Sequence, residues 1–324
     1  MEEKPIRENY TEVLVTGACG FIGSHLCEKL LKKGYMVIGI DSFTDFYPKT
    51  IKEKNIEISL KKSNFKFVET DILNLTSIDK DIEYIFHTAA QAGVRTSWGE
   101  NFDIYTRNNI LATQHLLELC KNHKKLKKFI YSSSSSIYGD AETLPTKEDT
   151  IPKPVSPYGV TKLAGEHLCQ LYHKNFGIPV ICLRYFTVFG PRQRPDMAFH
   201  RFIKSAMSGK PIIIYGDGKQ SRDFTYVSDV VAANILAMEN NTKEIIFNIG
   251  GGNYATINET IEILRKLLEL PVKVKYKEKE KGDVRDTKAD VTMAKKELGF
   301  NPKYDLNYGL EQEIKWIKGM GKLL

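Results

Sequence analysis

Apolar runs of strand length alternate with segments whose apolar residues recur at helical spacing along the first part of the chain. Residues 12–16 form a short β-rich run, and residues 24–34 follow with Leu26, Leu30 and Leu31 at helical intervals and a glycine stop. Residues 35–40, 65–68, 82–86 and 180–183 read as further strands, and residues 101–121 as one long helix. This alternation predicts an α/β fold with a doubly wound parallel sheet. Beyond about residue 185 the period breaks into loops rich in Pro, Gly and Arg with short helices, and the pieces at 226–238 and 245–249 are expected to return to the sheet. Residues 1–185, with returns near 226–249, are therefore assigned to a first domain. Residues 186–324 are assigned mainly to a smaller, mixed α/β lobe.

Two motifs carry chemistry. Gly17-Ala18-Cys19-Gly20-Phe21-Ile22-Gly23 separates the first strand from the first helix. Its glycines permit positive φ and let the backbone approach a pyrophosphate resting on the helix N-terminus. Asp41 ends the second strand 24 residues after Gly17; a carboxylate there binds ribose hydroxyls and repels a 2′-phosphate, which favours NAD over NADP. The second motif is Ser156-Pro157-Tyr158-Gly159-Val160-Thr161-Lys162. Ser156 suits an N-cap and Pro157 the first helical position, which puts Tyr158 and Lys162 on one face. A nearby ammonium favours the phenolate and draws the tyrosine pKa down from about 10, giving a general base near neutral pH. An exposed helix face is the competing reading of the pair alone, and the glycine loop supplies the context that argues against it.

Composition adds exclusions. An apolar fraction of 42% with 27% charged residues suits a globular chain. The net charge of +7 is spread over lysine pairs such as Lys32-Lys33 and Lys61-Lys62, which read as solvated faces, and no nucleic-acid motif accompanies them. Cys19, Cys27, Cys120, Cys169 and Cys182 form no Cys-x-x-Cys and read as reduced, buried thiols of a cytoplasmic protein. The seven histidines lack metal-ligand spacing, so no metal is expected, and His87 reads as a packed strand residue. Residues 1–9 are charged and unlike a signal peptide, and no apolar run has the length to span a bilayer.

With the two motifs joined, the chain resembles the extended short-chain dehydrogenase/reductase superfamily nearly end to end. The resemblance implies a Rossmann fold with NAD as cofactor. Residues 129–139, with five serines followed by Ile137-Tyr138-Gly139, match the strand and turn that carry the catalytic hydroxyl, and position implies Ser134 as partner to Tyr158 and Lys162. A polar linker is the alternative reading of that serine run. The same resemblance implies that Gly17, Gly20, Phe21, Ile22, Gly23, Asp41, Asp71, Ile72, Ala89, Ala90, Asn109, Tyr158 and Lys162 serve the cofactor, Asn109 by stabilising the active-site backbone.

Residues 212–224 and Gly282-Asp283-Val284-Arg285 are similar to the segments by which nucleotide-sugar members hold uridine diphosphate, with Arg222 and Arg285 as paired guanidinium forks. Residues 184–198, containing Thr187 and Arg194-Pro195-Asp196-Met197-Ala198, resemble the UDP-glucuronate 4-epimerases, as do residues 93–98. This implies inversion at C4 of UDP-glucuronate to UDP-galacturonate. The C5 carboxylate would meet the hydroxyls of Ser135, Ser136 and Thr187 and the charge of Arg194, with Arg95 second. A neutral-sugar 4-epimerase acting on UDP-glucose or UDP-N-acetylglucosamine is the leading alternative, and a UDP-glucuronate decarboxylase a further one. Ser135-Ser136 stand where a 4,6-dehydratase carries an acidic pair, and the complete Ser134, Tyr158 and Lys162 set argues against a non-catalytic NAD sensor. The family also implies a homodimer built on residues 101–121 and 157–175, with no membrane or nucleic-acid partner.

Overall fold

The computed structural model describes residues 10–321, so the expectation for residues 1–9 lies outside the described residues. Along the chain run β1 (Glu12–Thr16), α1 (Phe21–Lys32), β2 (Met36–Asp41), α2 (Lys49–Leu60), β3 (Phe65–Glu69) and β4 (Ile82–His87). They are followed by α3 (Phe102–Tyr105), α4 (Ala112–Cys120), β5 (Lys128–Ser134), α5 (Pro157–Phe176), β6 (Val180–Tyr185) and β7 (Val188–Phe189). The remainder comprises α6 (Ala198–Met207), β8 (Ile212–Tyr215), β9 (Ser221–Tyr226), α7 (Val227–Glu239), β10 (Ile246–Ile249), β11 (Asn253–Thr256), α8 (Ile257–Leu268), β12 (Val274–Lys277) and α9 (Leu306–Met320).

Seven parallel strands form the main sheet in the order β10-β6-β5-β4-β1-β2-β3. Helices cover both faces, so the central strands are apolar on both sides; Val13, Val15, Ile85, Phe86, Phe129 and Ile130 are fully buried. The chain leaves β1 in one direction and returns beyond it to β4, so a crevice opens at the carboxyl ends of these two strands. β10 comes from beyond residue 185 to pair with β6, and α7 packs on α1. The smaller lobe holds a three-stranded sheet, β11-β9-β7, and the parallel pair β12-β8.

Residues 101–121 are not one regular helix. A 3₁₀ turn (Gly99–Asn101) leads into α3, and a π turn (Thr106–Leu111) separates α3 from α4. The wider turn contains Asn109, whose carbonyl accepts from Thr113 Oγ1 (2.8 Å) while its side chain reaches away to Gln91. By contrast α5 starts as its sequence dictates: Ser156 Oγ accepts from the Gly159 amide (3.1 Å), Pro157 occupies the first turn, and Gly177 at φ +71 ends it.

Candidate active site

The crevice at the β1/β4 switch point is lined by Gly17, Gly20, Phe21, Ile22 and Gly23, by Asp41, Asp71, Ile72, Ala89 and Ala90, and by Tyr158, Lys162 and Arg194. The glycines are required by close approach. Gly17 has φ +69, and a Cβ on it would lie 2.8 Å from the Ala89 backbone. A Cβ on Gly23 would lie 2.1 Å from the Gly17 carbonyl oxygen. With Gly20 as the extended N-cap, the amides of Phe21, Ile22 and Gly23 have no acceptor within the helix and face the crevice. That is a cradle for an anion such as a pyrophosphate.

Asp41 is held at the lip of β2, its Oδ2 accepting from Cys19 N (3.0 Å) and its Oδ1 from Phe43 N (2.9 Å). Burial raises its pKa and those two amides oppose the rise. Asp71 accepts from Leu73 N (2.9 Å) and pairs with Arg107 (2.8 Å) beside Ile72. Thr16 fixes the opposite wall, its Oγ1 accepting from Ala89 N (3.3 Å) and its carbonyl from Thr88 Oγ1 (2.6 Å). Cradle, strand-end carboxylate and small-residue wall together fit a dinucleotide.

Tyr158 and Lys162 both reach this crevice, but the expected downward pull on the tyrosine is not found. Burial raises the Tyr158 pKa, outweighing the Ser134 hydroxyl bonded to it and the Arg194 charge, both of which lower it. Lys162 is buried, its Nζ 4.4 Å from the Tyr131 ring centroid, and desolvation brings it down to about 8. Removing both groups from water disfavours both charged forms, so the phenol rises as the ammonium falls. Ser134 lies at the end of β5, where its Oγ accepts from Ser136 N (3.1 Å). His87 is packed between Thr16 Oγ1 (2.8 Å) and Thr113 Oγ1 (2.9 Å), held neutral by burial.

Asn109 stands behind the wall rather than in the crevice. Its Oδ1 accepts from Gln91 N (2.7 Å), and its Nδ2 donates to Gln91 O (3.0 Å) and Thr161 Oγ1 (2.9 Å). It therefore fixes the backbone after Ala90 and ties it to α5, while its neighbour Asn108 lines the crevice.

The two arginines of the 190–194 loop separate. Arg192 turns away and pairs with Glu28 of α1. Arg194 enters the crevice, 5.7 Å from the Phe46 ring centroid and bidentate on Asp196 (2.9 and 3.0 Å). Ser135, Ser136 and Thr187 are half-buried and lie outside the set of crevice-lining residues. Arg95, Arg222 and Arg285 are likewise apart from it: the latter two belong to the smaller lobe, and Arg95, in the turn after β4, reaches across to it. Arg95 pairs with Asp283 (2.7 Å) over Tyr215, Arg222 donates to the carbonyls of Ser221, Val284 and Arg285, and Arg285 is bidentate on Asp217 (2.8 and 3.2 Å). The two distant segments, residues 212–224 and 282–285, thus meet.

Sequence reasoning missed Thr44, Phe46, Tyr47, Lys52, Gln91 and Tyr185, all of which line the crevice. Position offered a signal for most of them, since they end or follow strands of the parallel sheet at its carboxyl edge. Lys52, on α2, offered none; it is buried and donates to the Thr44 carbonyl (2.5 Å).

The profile of the NAD dependent epimerase/dehydratase family matches residues 13–250. A UDP-glucuronate 4-epimerase of Thermodesulfobacterium geofontis is 42% identical over 312 residues, covering 94% of this chain and 95% of that protein. An uncharacterized UDP-glucose epimerase of Bacillus subtilis, YtcB, is 44% identical over 314 residues, covering 95% and 98%. The crystal structure of UDP-glucuronic acid 4-epimerase from Bacillus cereus in complex with UDP-glucuronic acid and NAD is similar with a TM-score of 0.90 and 48% identity, covering 96% of this chain and 100% of that one.

Proposed function

The chain belongs to the NAD dependent epimerase/dehydratase family, and on that premise we propose that it inverts C4 of UDP-glucuronate to give UDP-galacturonate through a 4-keto intermediate. The observation that carries the acid-sugar reading is the guanidinium of Arg194 in the same crevice as Tyr158 and Lys162, close enough to bias the phenol's charge. NAD, when bound, supplies the acceptor and then the donor of the C4 hydride, and its positive oxidised ring favours the phenolate.

Tyr158 takes the 4-hydroxyl proton and Ser134 holds the oxygen as it becomes a carbonyl. Lys162 keeps positive charge beside the phenolate. The flat ketone turns about its bonds to the pyrophosphate, which Arg222 and Arg285 retain in the smaller lobe, and presents its other face. Tyr158 then returns the proton. A 4-keto uronate is a β-keto acid and loses CO2 when the carboxylate bond stands perpendicular to the carbonyl. Ser135, Ser136, Thr187 and Arg194 hold the carboxylate out of that alignment. In this reading residues 1–185, with β10 and α7, serve the cofactor, and residues 186–324 mainly serve the nucleotide sugar.

One observation favours a neutral sugar instead: Asp196 already pairs with Arg194 through Nε and Nη2, which leaves less positive charge for a carboxylate. Separate incubations with UDP-glucuronate and UDP-glucose, followed by NMR of the products and detection of CO2, decide between them. Epimerised UDP-glucose beside untouched UDP-glucuronate would end the acid-sugar reading.

We also read the protein as a cytoplasmic homodimer. All five cysteines are free and buried, and no helix among the described residues is long and apolar enough to cross a membrane. Ile104 and Leu111, and on the adjoining α5 Val160 and Leu171, are exposed apolar residues, the latter two at an interval that shares a helix face. Sedimentation of wild type and Leu111→Asp tests this, with the variant expected to run as a monomer and an unchanged mass counting against the surface.

A further inference from the structure

The loop that carries Arg194 is fastened to the dinucleotide-binding helix. His25 and Glu28, one turn apart on α1, reach consecutive loop residues: His25 Nε2 donates to the Pro191 carbonyl (2.9 Å), and Glu28 pairs with the Arg192 guanidinium. Burial, then the Arg192 charge, hold His25 down to about 3, so the imidazole is neutral and suited to that bond. The ion pair is itself sheltered, with side chains only 11% and 16% exposed. A pair on the open surface contributes little, whereas removing one partner of a sheltered pair strands the other charge.

Arg192 adopts φ +68, a left-handed conformation that a non-glycine residue holds only when its surroundings impose it. Upstream, the Gly190 amide donates to Glu313 of α9 (3.0 Å). Two residues downstream, the same turn delivers Arg194 to the crevice. The direction of Arg194 is therefore set by a turn whose strained residue is gripped from α1.

We propose that the Glu28–Arg192 pair is a positioning clamp that holds this turn, aims Arg194 at the sugar's carboxylate and so determines selectivity for acid over neutral sugars. The inference rests on the reading of Arg194 given above. Neither residue touches the substrate: both act through the backbone of the loop.

The test measures, on the NAD-loaded enzyme, kcat/KM for UDP-glucuronate and the competitive inhibition constant of UDP-glucose. It uses wild type, Glu28→Gln, Arg192→Gly, the double variant and Arg194→Ala. Arg192→Gly keeps a residue at ease with positive φ while deleting the clamp. Each clamp variant is expected to lower kcat/KM for UDP-glucuronate about tenfold, mainly through KM, with UDP-glucose inhibition changed less than about twofold. The double variant should be no worse than the poorer single one, because both changes remove one interaction. Equal weakening of both sugars, or additive losses, would mark the pair as merely structural and overturn the clamp. If Arg194→Ala loses selectivity while the clamp variants keep it, the clamp alone is wrong; if Arg194→Ala keeps it, the reading beneath falls too. Should Arg192→Gly fail to fold, the isosteric Glu28→Gln decides by the same criteria.

Discussion

Tyr158 and Lys162 stand one helical turn apart on the wall of a single crevice, and burial moves them in opposite senses, the phenol up and the ammonium down to about 8. A tyrosine and a lysine that merely shared a helix face in water would each keep the ordinary value. Here the low-dielectric site narrows the gap between the lysine and the working pH while leaving the phenol protonated until further positive charge arrives.

The Lys162 shift implies a stability cost that can be measured. In the unfolded chain this lysine titrates near 10.5, and in the fold near 8. Between those values the unfolded state binds the extra proton, so stability rises with pH across that window; below it the full penalty is present. At ~1.4 kcal/mol per pH unit the penalty is about 3 kcal/mol. Lys162→Met should abolish turnover yet raise the urea midpoint at pH 7, with the advantage shrinking as pH approaches 10. An advantage independent of pH would contradict the assignment.

Tyr158→Phe tests the base directly. The ring keeps its edge contact with Tyr105, at a centroid separation of 6.3 Å, and only the hydroxyl is lost. Turnover should fall by about 10²–10⁴, while NAD and UDP-glucuronate remain bound in equilibrium measurements. Unaltered turnover would remove Tyr158 from the chemistry.

The parts of this site that were legible in the sequence are those fixed by local rules. Gly17 and Gly23 announce close backbone approach, Asp41 ends a strand, and Ser156-Pro157 starts a helix, each readable from a few neighbours. The doubly wound sheet followed from the alternation of periods. What stayed hidden depends on groups brought together from afar. No local pattern says that Asn109 will leave a π turn to bind Gln91, or that Arg192 will turn to Glu28 and leave Arg194 facing the crevice. The sense of the Tyr158 shift is hidden for the same reason: spacing gives the neighbour, whereas desolvation is set by the whole fold.

Asp41 offers a cofactor test. Its two oxygens accept from Cys19 N and Phe43 N and shape the lip of β2. Asp41→Asn removes the charge and turns an amide donor toward one of those N–H groups. NAD retention should fall roughly tenfold, the loss of one charge-assisted hydrogen bond, and discrimination against NADP should weaken. Cofactor remaining after gel filtration, identified by absorbance and chromatography, reports both. Unchanged NAD content with unchanged NADP exclusion would count against Asp41 as the ribose carboxylate.

Behind the serine turn lies a buried ion pair whose loss should be severe and partly reversible. Arg184 Nη2 is 2.6 Å from Glu166 Oε1, and the other Glu166 oxygen accepts from Ser133 Oγ (2.6 Å). Arg184 Nη1 donates to Tyr138 OH (2.6 Å) and the Glu148 carbonyl (2.8 Å). The network ties α5, β5 and β6 together next to Ser134. Arg184→Met leaves Glu166 charged and unpaired in the interior, a loss of about 3–5 kcal/mol. Adding Glu166→Leu removes the stranded charge, so the double variant should be more stable than Arg184→Met alone by urea unfolding. Removing both charges leaves Ser133 Oγ without its acceptor and Tyr138 with Asn248 Oδ1 (2.7 Å) as its remaining partner, so activity should recover less than stability. Additive losses would show that Glu166 is satisfied without Arg184 and that the pair does not act as a unit.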